Sequence, residues 1–485
     1  MTLLPPVGTD AHVVVRPARG GGVVRTGSTF CFLLALTLVV PMWPAWAQVE
    51  TLTLDEAVEM AQRNNLSLRA AREDYDAAGW GLWGARAQLL PSVSLSSTAR
   101  RIDPDTYERS NASIDFFEDE FGADIEPFVY ETTYETSFNA RMPIWNGGRL
   151  WGAVGAASGA RDAAYQGYRS SARDVTVDAE EAYLNVLRAQ AVLRVSKEAV
   201  EAAQENVEAA ESKFDVGLVS RAEVLRWRVV LSQDQRSLAD AENRVFLART
   251  ALADVLGAPL DTVWTLADVE PGALPGIRVR YGEFLSGPDL SEERARELLA
   301  GNPDFQALAA STKVSGSSVT IARGAFFPSL NASGSYGWKA DDDIEPDDET
   351  AWSVTLALEF PIFTGFGNWS GYQESRRNHL AAMHRREAGE RGLIAALRNA
   401  AARLRLSFRA LDAAEQEREQ AEEHLKNVTG RYEQGMAPYT ELVDARVLFD
   451  RARVGHVNAF YDCLVAAAEM ERYVGNDPDT TTGAE

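Results

Sequence analysis

Four short segments decide the fold of this chain because they form two matching pairs. Residues 143–150 read PIWNGGRL, and residues 214–225 read FDVGLVSRAEVL. The same order returns as PIFTGFGN at 361–368 and as YEQGMAPYTELV at 432–443. Such self-similarity at a distance is typical of an internal duplication.

The spacing between these segments supports the duplication. The interval from Pro143 to Gly217 recurs without change from Pro361 to Gly435. The next interval, which ends at Gly257 in the first half and at Gly475 in the second, is also the same in both. We therefore predict a first repeat at 48–257, a second at 289–476, an inter-repeat segment at 258–288 and a short tail at 477–485.

The N-terminal segment has the features of an export signal. An eleven-residue apolar run, Phe30 to Val40, follows three arginines and precedes Ala45-Trp46-Ala47. This run is too short to span a bilayer but suits a signal peptide, which we expect at residues 1–47. If Cys31 is removed with it, Cys463 is left without an intrachain disulfide partner.

The composition limits the function classes. Hydrophobic residues make up 46% of the chain, enough for folded structure. A formal charge of −23 argues against a nucleic-acid partner, which needs clustered cations. The histidines do not occur at metal-ligand spacing, so we expect no catalytic residues, no cofactor, no metal site and no enzyme activity.

Each repeat is predicted to contain a β-ribbon, at about 92–145 and about 329–363. Hydrophobic residues alternate with polar ones there, with Phe138 and Ile144 assigned to the apolar face. In the second ribbon one face carries Trp352, Val354, Leu356, Leu358, Phe360 and Ile362. A half-buried soluble sheet has the same alternation, but strands of about ten residues behind an export signal favour a membrane β-barrel.

The number of strands implies self-association. Four strands cannot close a barrel, and unpaired sheet edges cannot lie in lipid. Copies of the chain must therefore complete the sheet.

The segments around the ribbons have their own signals. Acidic connections at 103–131 and 341–349 are expected to be water-facing loops. Thr53-x-x-Glu56 and Asp289-x-x-Glu292 predict capping boxes at helix starts. Pro91 and Pro328 predict the ends of the helices that run toward them.

Long helical hairpins are expected beyond the ribbons. No proline lies between Pro143 and Gly217, and alanine, glutamate, leucine and arginine dominate. Some 60–70 helical residues would reach roughly 100 Å. Glu223, Glu441 and Asp444 follow the glycine turns, where they could form an acidic ring in an assembly or simply complement the helix dipole.

Taken together, these motifs resemble the TolC-like family of outer-membrane efflux proteins. The resemblance rests on LTLDEAVEMAQRNN at 52–65, LLPSVSLS at 89–96, PIWNGGR, the turn at 214–225 and the duplication. It implies a mainly α protein with a membrane β-barrel, assembled as a homotrimer with twelve strands and twelve helices. It also implies a passive exit duct in the outer membrane, in contact with its lipid, whose helical barrel extends into the periplasm.

The resemblance further implies partners and site residues. The partners would be a periplasmic adaptor protein and an inner-membrane transporter, in an efflux or type I secretion system. The docking residues would be Gly217, Leu218, Val219, Ser220, Gly435, Met436 and Ala437. Glu441, Asp444 and Glu223 would form the periplasmic gate. Ala437 replaces an arginine that closes the entrance in some members, so another cation would be needed, and Arg221 is a nearby candidate.

Two other functions remain open at the level of sequence. A periplasmic adaptor also contains helical hairpins, and a coiled-coil scaffold would account for the helices. An adaptor should have one hairpin flanked by small β-domains, whereas this chain has two hairpins, each joined to a ribbon.

Overall fold

The structure is a computed structural model, and it describes residues 51–122, 129–269, 273–286, 290–341 and 350–475. The expected signal peptide at 1–47, the tail at 477–485 and Asp289 lie outside the described residues. So does most of the second acidic connection, at 342–349.

The first half of the chain runs through eight elements. They are β1 (Thr51–Leu52), α1 (Leu54–Asn64), α2 (Leu66–Ala87), β2 (Ser92–Arg101), α3 (Pro104–Phe121), β3 (Thr132–Asn146), α4 (Arg149–Asp215) and α5 (Arg221–Val255).

The second half contains the corresponding order after three short elements. These are β4 (Thr265–Leu266), α6 (Ala273–Arg280) and α7 (Gly282–Ser286). Then follow α8 (Glu292–Leu299), α9 (Pro303–Gly324), β5 (Ser329–Asp341), β6 (Thr350–Glu359), α10 (Gly367–Glu433) and α11 (Tyr439–Val474).

The predicted long helices are present, and the two longest match in length. Helices α4 and α10 contain 67 residues each, so each reaches roughly 100 Å. Helices α5 and α11, with 35 and 36 residues, return along them. No described helix has the length and apolar composition needed to cross a membrane.

Three hydrophobic clusters hold these helices together. The first joins α1, α4, α5 and α11 through residues such as Tyr183 and Leu464. The second joins α8, α10 and α11 around Leu404 and Met470. The third lies near the hairpin turns. Helices in folded proteins gain most of their stability from such packing rather than from helix propensity.

The inter-repeat segment is fastened to the helices through Tyr183. The Tyr183 hydroxyl lies 2.9 Å from the Leu52 carbonyl oxygen and 2.7 Å from that of Ala267. Leu52 belongs to β1, which pairs in parallel with β4. Burial raises the pKa of Tyr183 to about 12, so the hydroxyl stays protonated and able to donate.

The four long strands form one antiparallel sheet in the order β2-β3-β5-β6. Its register aligns the apolar residues of all four strands in rows: Leu95, Phe138, Tyr336 and Trp352 form one, and Val93, Ala140, Gly334 and Val354 the next. The other face is polar, and the Ser335 and Ser353 hydroxyl oxygens lie 2.8 Å apart.

One predicted position on the apolar face is wrong. The register between β3 and β5 shifts between Pro143 and Trp145, which leaves Ile144 as an extra residue. Trp145, rather than Ile144, therefore pairs with Leu330. A bulge of this kind reverses the alternation of side chains beyond it.

Other local predictions had mixed outcomes. The Thr53–Glu56 capping box is confirmed. The cap of α8 is Ser291, whose hydroxyl accepts from the Arg294 amide, so the box predicted at Asp289 and Glu292 is wrong. Helices α2 and α9 end at Ala87 and Gly324, each four residues before the proline.

The first acidic connection is also more ordered than expected. Most of the predicted loop at 103–131 is helix α3, which has 18 residues. The buried Asn111 side chain bonds the Val129 backbone in both directions, with Nδ2 2.7 Å from the carbonyl oxygen and the amide nitrogen 3.2 Å from Oδ1. This contact joins the helix to the chain just before β3.

Candidate functional site

The two hairpin turns have the same backbone geometry. The first tip (residues 216–220) contains Gly217 at φ +77°, and the second tip (residues 434–438) contains Gly435 at φ +74°. The amide of Leu218 donates to the Lys213 carbonyl at 2.8 Å, and that of Met436 to the Arg431 carbonyl at 2.7 Å. Glycine in the left-handed region followed by a bond back to the last helical turn is a common helix ending.

The predicted docking residues differ in exposure. Leu218 and Met436 are large, apolar and exposed, and Gly217, Ser220 and Gly435 are exposed beside them. Val219 is half-buried, whereas Ala437 is buried. Within this chain Ala437 packs inward and offers little surface to a partner.

Glu223 is the most enclosed of the three predicted gate acids. Only 6% of its surface is exposed, and the Tyr432 hydroxyl donates to its Oε1 at 2.5 Å. The Lys213 ammonium lies 4.9 Å from the centre of the Tyr432 ring. Burial and the Glu223 carboxylate raise the pKa of Tyr432, so the phenol remains a donor. This contact joins α5 of the first hairpin to α10 of the second.

Glu441 and Asp444 each have an arginine partner. The Arg431 Nη1 lies 2.8 Å from Glu441 Oε1, while its Nη2 lies 3.5 Å from the Met436 carbonyl oxygen. Arg226 Nη2 lies 3.9 Å from Asp444 Oδ1, and both of these side chains are exposed. Among the described side chains the partners are thus Arg431 and Arg226, not the suggested Arg221.

A compact core fixes these side chains in place. The third hydrophobic cluster joins all four long helices near the tips. Its members include Val224 and Trp227, which flank Glu223 and Arg226 in sequence, and Leu442 and Val443, which lie between Glu441 and Asp444. Alternation of core and polar positions along α11 therefore turns Glu441 and Asp444 away from the core, whereas Glu223 on α5 is buried beside it.

Sequence reasoning missed Tyr432, Arg431 and Arg226. One signal was available, because a constant shift in residue number relates the two repeats. This repeat shift takes Arg149, the first residue of α4, to Gly367, the first residue of α10. It also takes Glu223 to Glu441 and Lys213 to Arg431. It does not reveal that Tyr432 would contact Glu223, since that requires the packing of one hairpin on the other.

No metal site is evident near these acids. Across the described ranges of the chain, no three histidine, cysteine, aspartate or glutamate side chains gather in a way that could hold an ion. The tip acids are instead bonded to tyrosine and arginine, and their arrangement supports a joint between helices.

The sheet is the second notable surface. All residues of β2 and β6 are exposed, including Val93 and Leu95 on one strand and Trp352, Val354 and Leu356 on the other. These two strands are the edges of the sheet, so each has an unpaired side. Large apolar surfaces and open edges of this kind are usually covered by another molecule or by lipid.

Comparison with known proteins gives matches over most of the chain. The model of the outer membrane efflux protein family matches residues 57–258 and 295–476. The pyoverdine export outer membrane protein OpmQ of Pseudomonas putida is 25% identical over 66% of this chain and 63% of its own length. This chain therefore spans less than two thirds of the length of that relative. Outer membrane protein TolC of Escherichia coli is 22% identical over 87% of this chain and 82% of its own.

Solved structures share the fold. The CmeC outer membrane channel of Campylobacter jejuni superposes with a TM-score of 0.72 at 18% identity, covering 87% of this chain and 85% of that one. CusC superposes with a TM-score of 0.74 at 17% identity, covering 87% and 92%.

Proposed function

Because the chain belongs to the outer membrane efflux protein family, we propose that three copies form a passive exit duct from the periplasm to the exterior. The family places the protein in the outer membrane and supports a channel function. The trimer, the route of the substrate and the partners are our proposal.

The four-stranded sheet β2-β3-β5-β6 is the observation that supports this proposal most strongly. In the described part of each copy, the antiparallel sheet has four long strands, an apolar face continuous across them, and two open edges. Since open edges cannot lie in lipid, β6 of one copy must pair with β2 of another. Three copies would give twelve strands, and the four long helices of each copy would give a twelve-helix barrel in the periplasm.

Cell fractionation, native mass and conductance measurements test the proposed duct directly. We expect it in the outer-membrane fraction, with a trimer mass by native mass spectrometry and ion conductance in planar bilayers. A soluble periplasmic monomer would refute the proposal and favour an adaptor or scaffold. A fixed trimer without conductance would also contradict the duct.

We propose that Glu441, Asp444 and Glu223 hold the periplasmic entrance closed. Their contacts support this role because Glu223 and Asp444 each bridge the two hairpins, through Tyr432 and Arg226. The Arg431–Glu441 pair stiffens the second tip and supplies a cation that Ala437 lacks.

The gate is tested by conductance. Glu441→Ala with Asp444→Ala should raise single-channel conductance several-fold, because the second hairpin loses its ionic contacts at the entrance. Glu419→Ala, which removes an exposed acid of α10 far from the tip, is the control. Unchanged conductance in the double variant would assign these acids to the helix dipole instead.

We also propose that both tips bind a periplasmic adaptor linked to an inner-membrane transporter. The exposed Leu218 and Met436 are equivalent residues of the two repeats, so a partner would meet the same apolar contact twice per chain. The two turns would be shaped by the remaining candidates, which are Gly217, Val219, Ser220, Gly435 and Ala437.

Efflux in cells and the amount of trimer, measured together, separate adaptor binding from assembly of the trimer. Leu218→Asp with Met436→Asp should abolish efflux in cells while leaving the amount of trimer unchanged. Val279→Asp changes an exposed residue of α6 and should leave efflux intact. Full efflux by the tip variant would rule out an apolar docking contact.

A further inference from the structure

The polar face of the four-stranded sheet is rich in small hydroxyl side chains. Its register places Ser94, Asn139, Ser335 and Ser353 in one row, and Ser92, Arg141, Ser333 and Thr355 in the next row of the same face. The Asn139 side-chain amide donates to the Ser96 and Ser137 hydroxyls at 3.1 and 3.0 Å. The described aromatic side chains of the four strands belong to rows of the other face. The polar face therefore suits hydrated solutes better than apolar ones.

Arg141 is the charged residue of these two rows, and its side chain is available for binding. It is exposed, and within the described part of the chain its guanidinium has no hydrogen-bond or ion-pair partner. Its backbone carbonyl accepts a hydrogen bond from the Ser92 hydroxyl at 3.3 Å. By contrast, Arg101 follows the alternation of the apolar face and pairs with Glu131, at 2.7 Å between Nη2 and Oε1. A guanidinium group has five N–H donors, and those of Arg141 are left for a solute.

The carboxylates of the sheet are too distant to neutralise Arg141. Along the polar face of the described strands, the nearest are Glu135 on β3 and Glu359 at the end of β6. From the rise along a strand and the spacing between strands, their backbone positions lie more than about 15 Å from Arg141. Glu135 also lies opposite Lys339 in the register, which offsets its charge. The surroundings of Arg141 are therefore positive, although the chain has a formal charge of −23.

In the proposed trimer this face lines the interior of the barrel, since the apolar face contacts lipid. Twelve strands spaced by about 4.8 Å and tilted by about 40° give a barrel with a backbone radius of about 12 Å. An extended arginine side chain covers about half of that radius, so the guanidinium groups lie within one Debye length, about 8 Å at physiological salt, of the barrel axis. A solute that passes through the barrel would meet three such groups at one level.

We propose that the Arg141 side chains of three copies form a ring inside the barrel that binds oxyanions carrying several negative charges, such as polycarboxylates and polyphosphates. Guanidinium groups bind carboxylate and phosphate oxygens through paired hydrogen bonds. The Ser333 and Thr355 hydroxyls occupy the same row and can donate to the remaining oxygens of such a solute. Rings of arginine favour anions in other pores. The inference rests on the proposed duct and names a class of solute for which it has a site.

Block of the single-channel current in planar bilayers tests the ring. Citrate and, in a separate experiment, pyrophosphate are added to either side of the wild-type channel in KCl without divalent cations. We expect brief interruptions of the current whose frequency rises with the concentration of the anion. The two probes show whether the site accepts carboxylates, phosphates or both.

Two substitutions at Arg141 separate charge from hydrogen-bond geometry. Arg141→Gln should raise the dissociation constant of the blocking anion at least about tenfold, because a hydrogen bond to a charged group contributes that much or more. Arg141→Lys should retain a weaker block, since an ammonium group keeps the positive charge and loses the paired donors. Native mass spectrometry verifies that each variant is a trimer.

Arg101→Gln is the matched control. It removes the same charge from the same sheet, but on the apolar face, where Arg101 already has Glu131 as its partner. Block by citrate and by pyrophosphate should therefore be the same in Arg101→Gln as in the wild-type channel.

The outcomes distinguish failure of the ring from failure of the duct. A conducting wild-type channel that neither anion blocks would overturn the ring and leave the duct in place. Block of equal strength in Arg141→Gln and the wild type, or equal loss of block in Arg141→Gln and Arg101→Gln, would overturn the ring as well. A protein that forms no trimer or conducts no ions would overturn both.

Discussion

Leu356→Lys is the sharpest test of the membrane-facing sheet. Leu356 lies at the centre of an apolar row that starts at Trp352 on strand β6 and ends at Phe360, one residue beyond the strand, and its side chain is exposed in the single chain. Ten residues of strand span about 33 Å, which at a tilt near 40° matches an apolar band of about 25 Å. The residue should therefore lie close to the bilayer midplane.

The cost of the substitution can be worked out from that depth. A lysine on the lipid-facing side of a barrel costs about 2–4 kcal/mol at the midplane. Three copies in a trimer would bring the total to about 6–12 kcal/mol, comparable with the whole stability of a typical domain. We expect Leu356→Lys to be lost from the outer membrane and degraded.

The matched control lies one residue away on the same strand. Thr355 faces the other side of the sheet, in the row that already contains Arg141, so a cation is tolerated there. Thr355→Lys should yield normal trimer in the outer membrane, measured by immunoblot of the fractions. Equal yields from Leu356→Lys and Thr355→Lys would refute the assignment of the apolar face to lipid.

Two further predictions concern stability. Burial and the nearby Glu471 charge raise the pKa of Glu180 to about 7, so the native state favours the protonated carboxyl. The stability contributed by the protonated Glu180 carboxyl is complete below about pH 4.5 and is lost as the pH rises through 7. Glu180→Gln should therefore leave the free energy of unfolding unchanged at pH 4 and raise it by roughly 2–3 kcal/mol at pH 8, measured by denaturant unfolding. Equal effects at both pH values would contradict this. Gly257→Ala should destabilise by more than about 1 kcal/mol, because Gly257 has φ +63° and a Cβ would lie 2.5 Å from the Asn64 carbonyl oxygen. Gly84→Ala, with open space in helix α2, should be neutral or stabilising; similar melting of the two variants would argue against strain at Gly257.

Much of the architecture could be predicted from local residue patterns. Glycines with positive φ mark both tips, and the absence of proline permits two 67-residue helices. Alternation along the strands predicted the apolar face of the sheet. These features depend on backbone requirements and on the period of each element, which neighbouring residues specify.

The details that depend on distant residues could not be predicted in the same way. The bulge after Pro143 depends on the pairing of β3 with β5, and the Asn111–Val129 contact joins helix α3 to the chain that follows it.

Residue patterns along the chain specify the duplication, the equal hairpins, the two tips and the identity of the acids beside them. The pairing of those acids depends on the three-dimensional packing of the helices. Tyr432 bonds Glu223 from a distance of 209 residues in the chain, and Arg226 approaches Asp444 from the other hairpin. A residue's spacing from its neighbours shows which helix face it occupies. The partner of that face depends on how two helices pack, and packing is set by the whole core.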